Sequence, residues 1–200
     1  KLFELSYTYS RNETRVTQVE GIEESYLPKE IETLTLGMFG NADFYQLKGT
    51  VEGLLAALKI KEYDFEPETE NPTFHPGRTA ALYIKGEKAG TIGEIHPEVL
   101  EKYEIGARAY VAVIEVEKLV KNTGEISGYK PLPRYPAVTR DIAMVLNEDI
   151  MVKSVEAIIK KGSGVLLEEF KLFDVYKGKQ VPEGMKSVAY SITFRAEDRT

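Results

Sequence analysis

Two histidines, His75 and His96, are the chain's entire stock of imidazole, and it has no cysteine. Disulfides, thiolate metal sites, iron–sulfur clusters and cysteine nucleophiles are therefore excluded, which is compatible with a reducing cytosol. His75 in Phe74-His75-Pro76-Gly77-Arg78 and His96 in Gly93-Glu94-Ile95-His96-Pro97-Glu98 could ligate a metal together with Glu94 or Glu98. They lack an HExxH pairing, and each precedes a proline that holds the backbone extended. Turn residues bonded locally are the better reading. Glu94 with His96 is kept as the pair that a small-molecule enzyme would use.

The other motifs that could carry chemistry are weak. Gly86, Gly90 and Gly93 have the wrong spacing for a dinucleotide loop and read as turn glycines. Lys161-Gly162-Ser163-Gly164 has its lysine ahead of the glycine pair, so it closes a helix and is a C-cap, not a phosphate loop. No GxSxG occurs. Asn12-Glu13-Thr14 is a glycosylation sequon only in a secreted protein. The acidic runs from Glu20 to Glu32 and from Glu62 to Glu70 lie beside Pro28, Pro67 and Pro72 and read as solvated loops.

A stronger signal lies near the C-terminus. Val188, Tyr190, Ile192 and Phe194 alternate with Ser187, Ala189, Ser191, Thr193 and Arg195, so one face of a strand is apolar and must take a helix. The other face is small and polar and lacks the stacked aromatics of an RNA-recognition sheet. Tyr176 ends Leu172-Phe173-Asp174-Val175-Tyr176 and precedes Lys177-Gly178-Lys179. An aromatic ring beside two ammonium groups can stack a base while a lysine meets its phosphate. Equally, it can pack on the turn, and composition alone leaves both open.

The elements that must position these residues fall into two parts. With 200 residues, 42% hydrophobic and 29% charged, the chain can bury one large core or two small ones. Residues 1–126 hold 14 Lys and Arg against 22 Asp and Glu, and residues 127–200 hold 12 against 10. The shift falls among Asn122-Thr123-Gly124, Ser127-Gly128, Pro131, Pro133 and Pro136, which predicts a boundary near residue 127. No apolar run spans a membrane and no signal peptide is evident, so the chain reads as soluble and cytoplasmic. Opening on Lys1 within a strand-like run, it also reads as part of something longer.

In the first part, Leu2 to Tyr9, residues 33–38, Arg78 to Ile84, Thr91 to Ile95 and Ala109 to Val116 have strand patterns. Residues 85–90 make a hairpin connection. Phe44, Leu47, Lys48, Val51, Leu54, Leu55 and Leu58 recur at three and four behind an Asn41 or Asp43 cap, and Pro97 opens a short helix. This is an antiparallel sheet with a few helices, an α+β class. The second part reads strand (Asp141 to Leu146), helix (Val152 to Lys161, with Val155, Ile158 and Ile159 inward), strand (Leu166 to Tyr176), turn, strand (Ser187 to Arg195). That order is three-quarters of a ferredoxin-like split βαβ unit, with Asp141 to Leu146 left as an open sheet edge.

Three ordered motifs carry a resemblance: Pro133-Arg134-Tyr135-Pro136-Ala137-Val138-Thr139-Arg140-Asp141, then Leu172-Phe173-Asp174-Val175-Tyr176-Lys177-Gly178, then Gly184-Met185-Lys186 through Phe194-Arg195. Together they resemble the ferredoxin-fold anticodon-binding domain that ends the bacterial phenylalanyl-tRNA synthetase beta subunit. Leu2-Phe3-Glu4-Leu5, Asp43-Phe44-Tyr45-Gln46-Leu47-Lys48-Gly49 and the two His-Pro motifs resemble the synthetase-like module before it, although Ser6 stands where that family usually has glycine. The resemblance implies a class II synthetase-like module over 1–126 and a ferredoxin-like βαββ anticodon-binding domain over 127–200, lacking its last helix and strand.

It further implies a chain without the ligation site, whose first module assembles with an alpha subunit in a heterotetramer of two alpha and two beta subunits. Its second module would bind phenylalanine tRNA. ATP and magnesium are implied for the holoenzyme, with no catalytic, cofactor or metal residue here. Consistently, no FRxE-type loop follows Arg11 and Arg15, and Gly106-Ala107-Arg108 is the nearest approach to the arginine that would hold ATP. Tyr176 is the base-stacking residue by the family's motif; Lys177, Lys179, Arg140 and Arg195 are phosphate contacts by charge and position.

Overall fold

The computed structural model describes residues 1–10, 28–124, 132–178 and 180–199. Arg11, Arg15, the Asn12-Glu13-Thr14 sequon, the start of the acidic run at Glu20, residue 127 and Lys179 lie outside the described residues. Contacts divide the chain into two units, Lys1–Ser127 and Gly128–Thr200. No helix among the described residues is long and apolar enough to cross a membrane.

Among the described residues of the first unit, six strands form one antiparallel sheet. Its order is β1 (Leu2–Ser10), β2 (Lys29–Phe39), β6 (Ala109–Glu115), β5 (Glu87–Ile95), β4 (Phe74–Ile84) and β3 (Tyr63–Pro67). Helix α1 (Phe44–Ala57) starts where its periodicity predicts, with the Asp43 carboxylate accepting from the Gln46 N–H at 2.7 Å. Its Leu47, Val51 and Leu55 are fully buried against Leu82, Ile92 and Ile114 of the sheet. Short helices α2 (Pro97–Lys102) and α3 (Val116–Lys121) follow β5 and β6.

On β1, Phe3, Leu5, Tyr7 and Tyr9 alternate onto one face, each more than half exposed. Phe3 pairs with Leu36 and Leu5 with Leu34, and these leucines pack on the α1 core. The apolar face of the sheet thus runs past the helix to an uncovered edge.

Three expectations change. The hairpin turn is only Lys85-Gly86, whose φ of +49° and +82° suit a two-residue mirror-image turn. Gly90 and Gly93 are therefore strand residues. A Cβ on Gly90 would stand 2.3 Å from the Val113 carbonyl oxygen, and one on Gly93 2.6 Å from Thr79 Oγ1, so both glycines are required by close backbone approach. The acidic stretch from Glu62 is not all loop, because Tyr63 and Phe65 face the core and turn Tyr63–Pro67 into an edge strand with Asp64 and Glu66 alternating between them. Val116 begins α3 instead of ending β6.

Among the described residues of the second unit, three antiparallel strands run in the order β7 (Val138–Asn147), β9 (Met185–Phe194), β8 (Leu167–Tyr176), with helix α4 (Val152–Ser163) on one face. This is the expected βαββ order, and β7 lies at the edge. Helix α4 runs through Gly162 to a cap at Gly164 with φ +58°. Val155 is buried and Val152 and Ile159 pack beside it. Ile158, expected inward, is 71% exposed, since it falls off the stripe that 152, 155 and 159 draw at three- and four-residue spacing.

Tyr190 fills the centre of this core, and its hydroxyl has no hydrogen-bond partner among the described residues. Burial first, and the Glu156 charge second, push its pKa up to about 12. The folded form then keeps a proton that the unfolded chain releases near pH 10, so this residue's contribution to stability falls as pH rises between the two values. Tyr190→Phe is expected to be neutral or stabilising by up to about 1 kcal/mol at pH 7 and to flatten that alkaline loss. Urea unfolding at pH 7 and above pH 10 checks both.

Candidate nucleic-acid interface

Strand register decides which residues of the second unit share a surface. In β9, Val188, Tyr190 and Ile192 point to α4 and are buried. Ser187, Ala189, Ser191 and Thr193 take the other face, opposite Val145, Ala143, Asp141 and Thr139 of β7. From β8 the same open face receives Glu169, Lys171, Asp174 and Tyr176, which pair with Thr193, Ser191, Ala189 and Ser187.

Tyr176 reaches that face because β8 carries a bulge. Leu172 opposes Tyr190 and Asp174 opposes Ala189, leaving Phe173 as an extra residue. Under strict alternation Tyr176 would share the helix-side face with Leu172; the added residue reverses the parity, and Val175 takes the helix-side face instead, opposite Val188, where it stays 45% exposed. Bulges re-aim side chains in this way at functional edges.

Tyr176 is 40% exposed. Its ring lies across Gly178, where a Cβ would come within 2.3 Å of the phenol oxygen and 2.5 Å of Cζ. Only glycine leaves the ring this resting place. Gly178→Ala is therefore expected to displace the ring with little effect on unfolding, since the obstructing atoms end a side chain that can rotate. Thermal melting should stay within about 0.5 kcal/mol of the parent, while solvent quenching of tyrosine emission and RNA affinity both change.

Lys177 is ion-paired with Glu148, in the turn after β7, at the same end of the sheet. That hydrogen bond, followed by the charge of Lys177, holds the Glu148 carboxyl below its ordinary range. Lys186, buried on β9, donates to the Glu148 carbonyl at 2.9 Å and fixes the turn. An exposed pair of this kind is weak and exchangeable, so Lys177 can turn to a phosphate.

The two arginines do not join this group. Arg195 donates to the Tyr135 carbonyl at 2.5 Å and to Glu168 at 2.9 Å. It follows β9 at the end away from Ser187, roughly 26 Å along the strand at 3.3 Å per residue. Arg140 pairs with Ile192 and so belongs to the helix-side face, where its guanidinium donates to the Thr139 carbonyl at 3.2 Å. Lys179 lies outside the described residues. Ser187 and Asp174 join Tyr176 with no motif to signal it in the sequence: a hydroxyl and a carboxylate on the same face, one directly across from the ring and one two residues before it. Their adjacency depends on register and on the bulge, whose sequence trace is the break from Phe170 and Leu172 to Val175.

In the first unit, the rival pair Glu94 and His96 does not form a site. His96 Nδ1 accepts from the Glu98 N–H at 3.3 Å and caps α2, and His75 Nδ1 accepts from the Gly77 N–H at 3.1 Å. Both are the locally bonded turn residues expected. Glu94 is buried, with both oxygens engaged by Arg78. Among the described residues no three His, Asp or Glu side chains come together in a way that could hold a metal ion.

Comparison with known proteins gives two family matches: residues 1–116 to the phenylalanyl-tRNA synthetase beta chain CLM domain, and residues 133–200 to the ferredoxin-fold anticodon-binding domain. The phenylalanine–tRNA ligase beta subunit of Clostridium acetobutylicum is 46% identical over 200 residues, covering all of this chain and 24% of that subunit. That of Clostridium tetani is 45% identical over 203 residues, covering 98% of this chain and 26% of its own length. That of Symbiobacterium thermophilum is 40% identical over 211 residues, covering all of this chain and 22% of its own. The chain thus spans about a quarter of the length of these relatives.

Proposed function

The chain belongs to the phenylalanine–tRNA ligase beta-subunit family, and from that premise we propose that its second unit grips the anticodon stem-loop of phenylalanine tRNA. Tyr176 stacks on a base, Ser187 and Asp174 meet that base's polar edge, and Lys177 leaves Glu148 for a backbone phosphate. The observation that carries this reading is the bulge at Phe173, which turns Tyr176 out of the core onto a small, polar, uncovered face. Stacking on an aromatic tolerates any base, so selectivity falls to the hydroxyl and carboxylate beside it. Arg140 and Arg195 serve, at most, phosphates distant from the stacked base, and Lys179, which follows Gly178 in the sequence, is a further phosphate contact in this reading.

The first unit assembles with an alpha subunit, in a tetramer of two alpha and two beta chains, through the exposed apolar face of β1. Four large side chains on one sheet face, continuous with the core, form the kind of patch that a partner covers. ATP, magnesium and the ligation step belong to the alpha subunit in this reading, and the beta region contributes position. Chemical footprinting of the tRNA bound to the intact ligase tests it. Anticodon-loop bases become protected, and Tyr176→Ala restores their reactivity while protection of the acceptor stem persists. Protection unchanged by the substitution contradicts it.

A further inference from the structure

At the end of the first sheet where β2 finishes and α1 begins, a row of paired residues crosses three strands: Met38 of β2, Tyr110 of β6 and Glu94 of β5. Glu94 is 3% exposed. Both its oxygens accept from Nη1 of Arg78 at 2.9 Å, and Nε of Arg108 stands 3.7 Å from Oε1. One guanidinium balances one carboxylate, so the second leaves the cluster with one positive charge in excess. The side chains of Arg78 and Arg108 are 45% and 66% exposed. Their other N–H groups have no partner among the described residues. A buried carboxylate that holds one arginine by two hydrogen bonds and draws a second by a longer ion pair, with donors left over on both, forms an anion receptor.

The occupant follows from the surroundings. Residues 1–126 carry 22 acidic against 14 basic side chains, a field that opposes a polyanionic RNA backbone far more than a single carboxylate seated against two guanidiniums. Tyr45, in the first turn of α1, stands at the same end of the sheet and is 79% exposed. Arginine and aromatic side chains are the residues that anchor protein interfaces.

We propose that Arg78 and Arg108, held in place by buried Glu94, receive a carboxylate of the alpha subunit when the ligase assembles; this rests on the reading of the first unit as an assembly module. Glu94 is a positioning residue, and Arg108, the more exposed of the two, makes the larger contribution to the contact.

The test uses the complete alpha and beta subunits and measures their association by sedimentation at several salt concentrations. Arg108→Glu is expected to raise the subunit dissociation constant at least about tenfold, and Arg108→Lys, which keeps the charge but loses the fork, by less. The melting of the free beta subunit should not change. Because Arg78→Ala leaves a carboxylate buried alone and can unfold the sheet, the double variant Arg78→Gln with Glu94→Gln replaces it. That pair removes one donor fork and keeps the net charge, so it is expected to weaken assembly by less than Arg108→Glu does. Association unchanged in Arg108→Glu overturns the proposal, as does a loss that appears only in tRNA affinity, which would make the arginines phosphate contacts. Leu5→Asp on β1 separates the two readings: if it blocks assembly while Arg108→Glu does not, the receptor is wrong and the assembly surface stands; if neither acts, both are wrong.

Discussion

Tyr176→Ala in the intact ligase is expected to weaken binding of a phenylalanine-tRNA anticodon stem-loop by roughly 1–3 kcal/mol, about five- to 150-fold in Kd. The ring sits at the end of β8 on the open face, so its removal takes away stacking area without opening the core beneath Tyr190. Tyr176→Phe keeps the π-face and should recover most of the affinity. Lys177→Ala should act differently, weakening binding to every loop sequence alike and reducing the salt slope by about one charge. Fluorescence titrations at two or more salt concentrations separate the effects. Equal losses for alanine and phenylalanine at 176 would point to the hydroxyl instead of the ring.

Gly90→Ala should destabilise the first unit by about 3 kcal/mol, the upper end of the cost of overpacking a well-filled interior. The methyl group would meet the Val113 carbonyl oxygen at 2.3 Å and the Ile114 Cα at 3.0 Å. Both are backbone atoms of β6, paired with β5 at this position. A side chain can rotate away, but here relief requires the two strands to separate and lose ladder hydrogen bonds. Gly53→Ala, on α1 with open space around it, should do the opposite and stabilise by up to about 1 kcal/mol. Denaturant unfolding of the two variants gives the comparison, and similar midpoints would show that β5 and β6 can part at little cost.

Much of the fold could be read from periodicity. Leu47, Val51 and Leu55 recur at helical spacing and all three are buried, while Tyr110, Ala112 and Ile114 alternate and are buried together. Capping was legible too, because Asp43 stands directly before that helical pattern. What escaped depends on events between strands. Gly90, which ends a Lys-Gly-Glu-Lys-Ala-Gly string, and Gly93 just after it look like turn residues, and only the approach of Val113 and Thr79 shows why they are glycine. Charge placed Arg140 and Arg195 with Tyr176, whereas register places one on the helix-side face and the other at the opposite end of β9. The candidate site was found through one tyrosine beside lysines, but its partners Ser187 and Asp174 emerge only once a single extra residue in β8 is counted. Glu94 reads in the sequence as a metal ligand or as an enzyme's pair with His96; in the fold it is buried and ion-paired with Arg78 and Arg108.

Recognition of the anticodon by this unit requires the ring at position 176 to be open to a nucleobase. This chain contains no tryptophan, so Tyr176→Trp in the intact ligase places an indole where the phenol stands, and emission of the unsubstituted enzyme supplies the background. Adding the phenylalanine-tRNA anticodon stem-loop should quench the new emission saturably, with the same dissociation constant as binding measured independently, and an acceptor-stem minihelix should leave it unchanged. Undiminished emission at saturating stem-loop would contradict recognition of the anticodon at this ring.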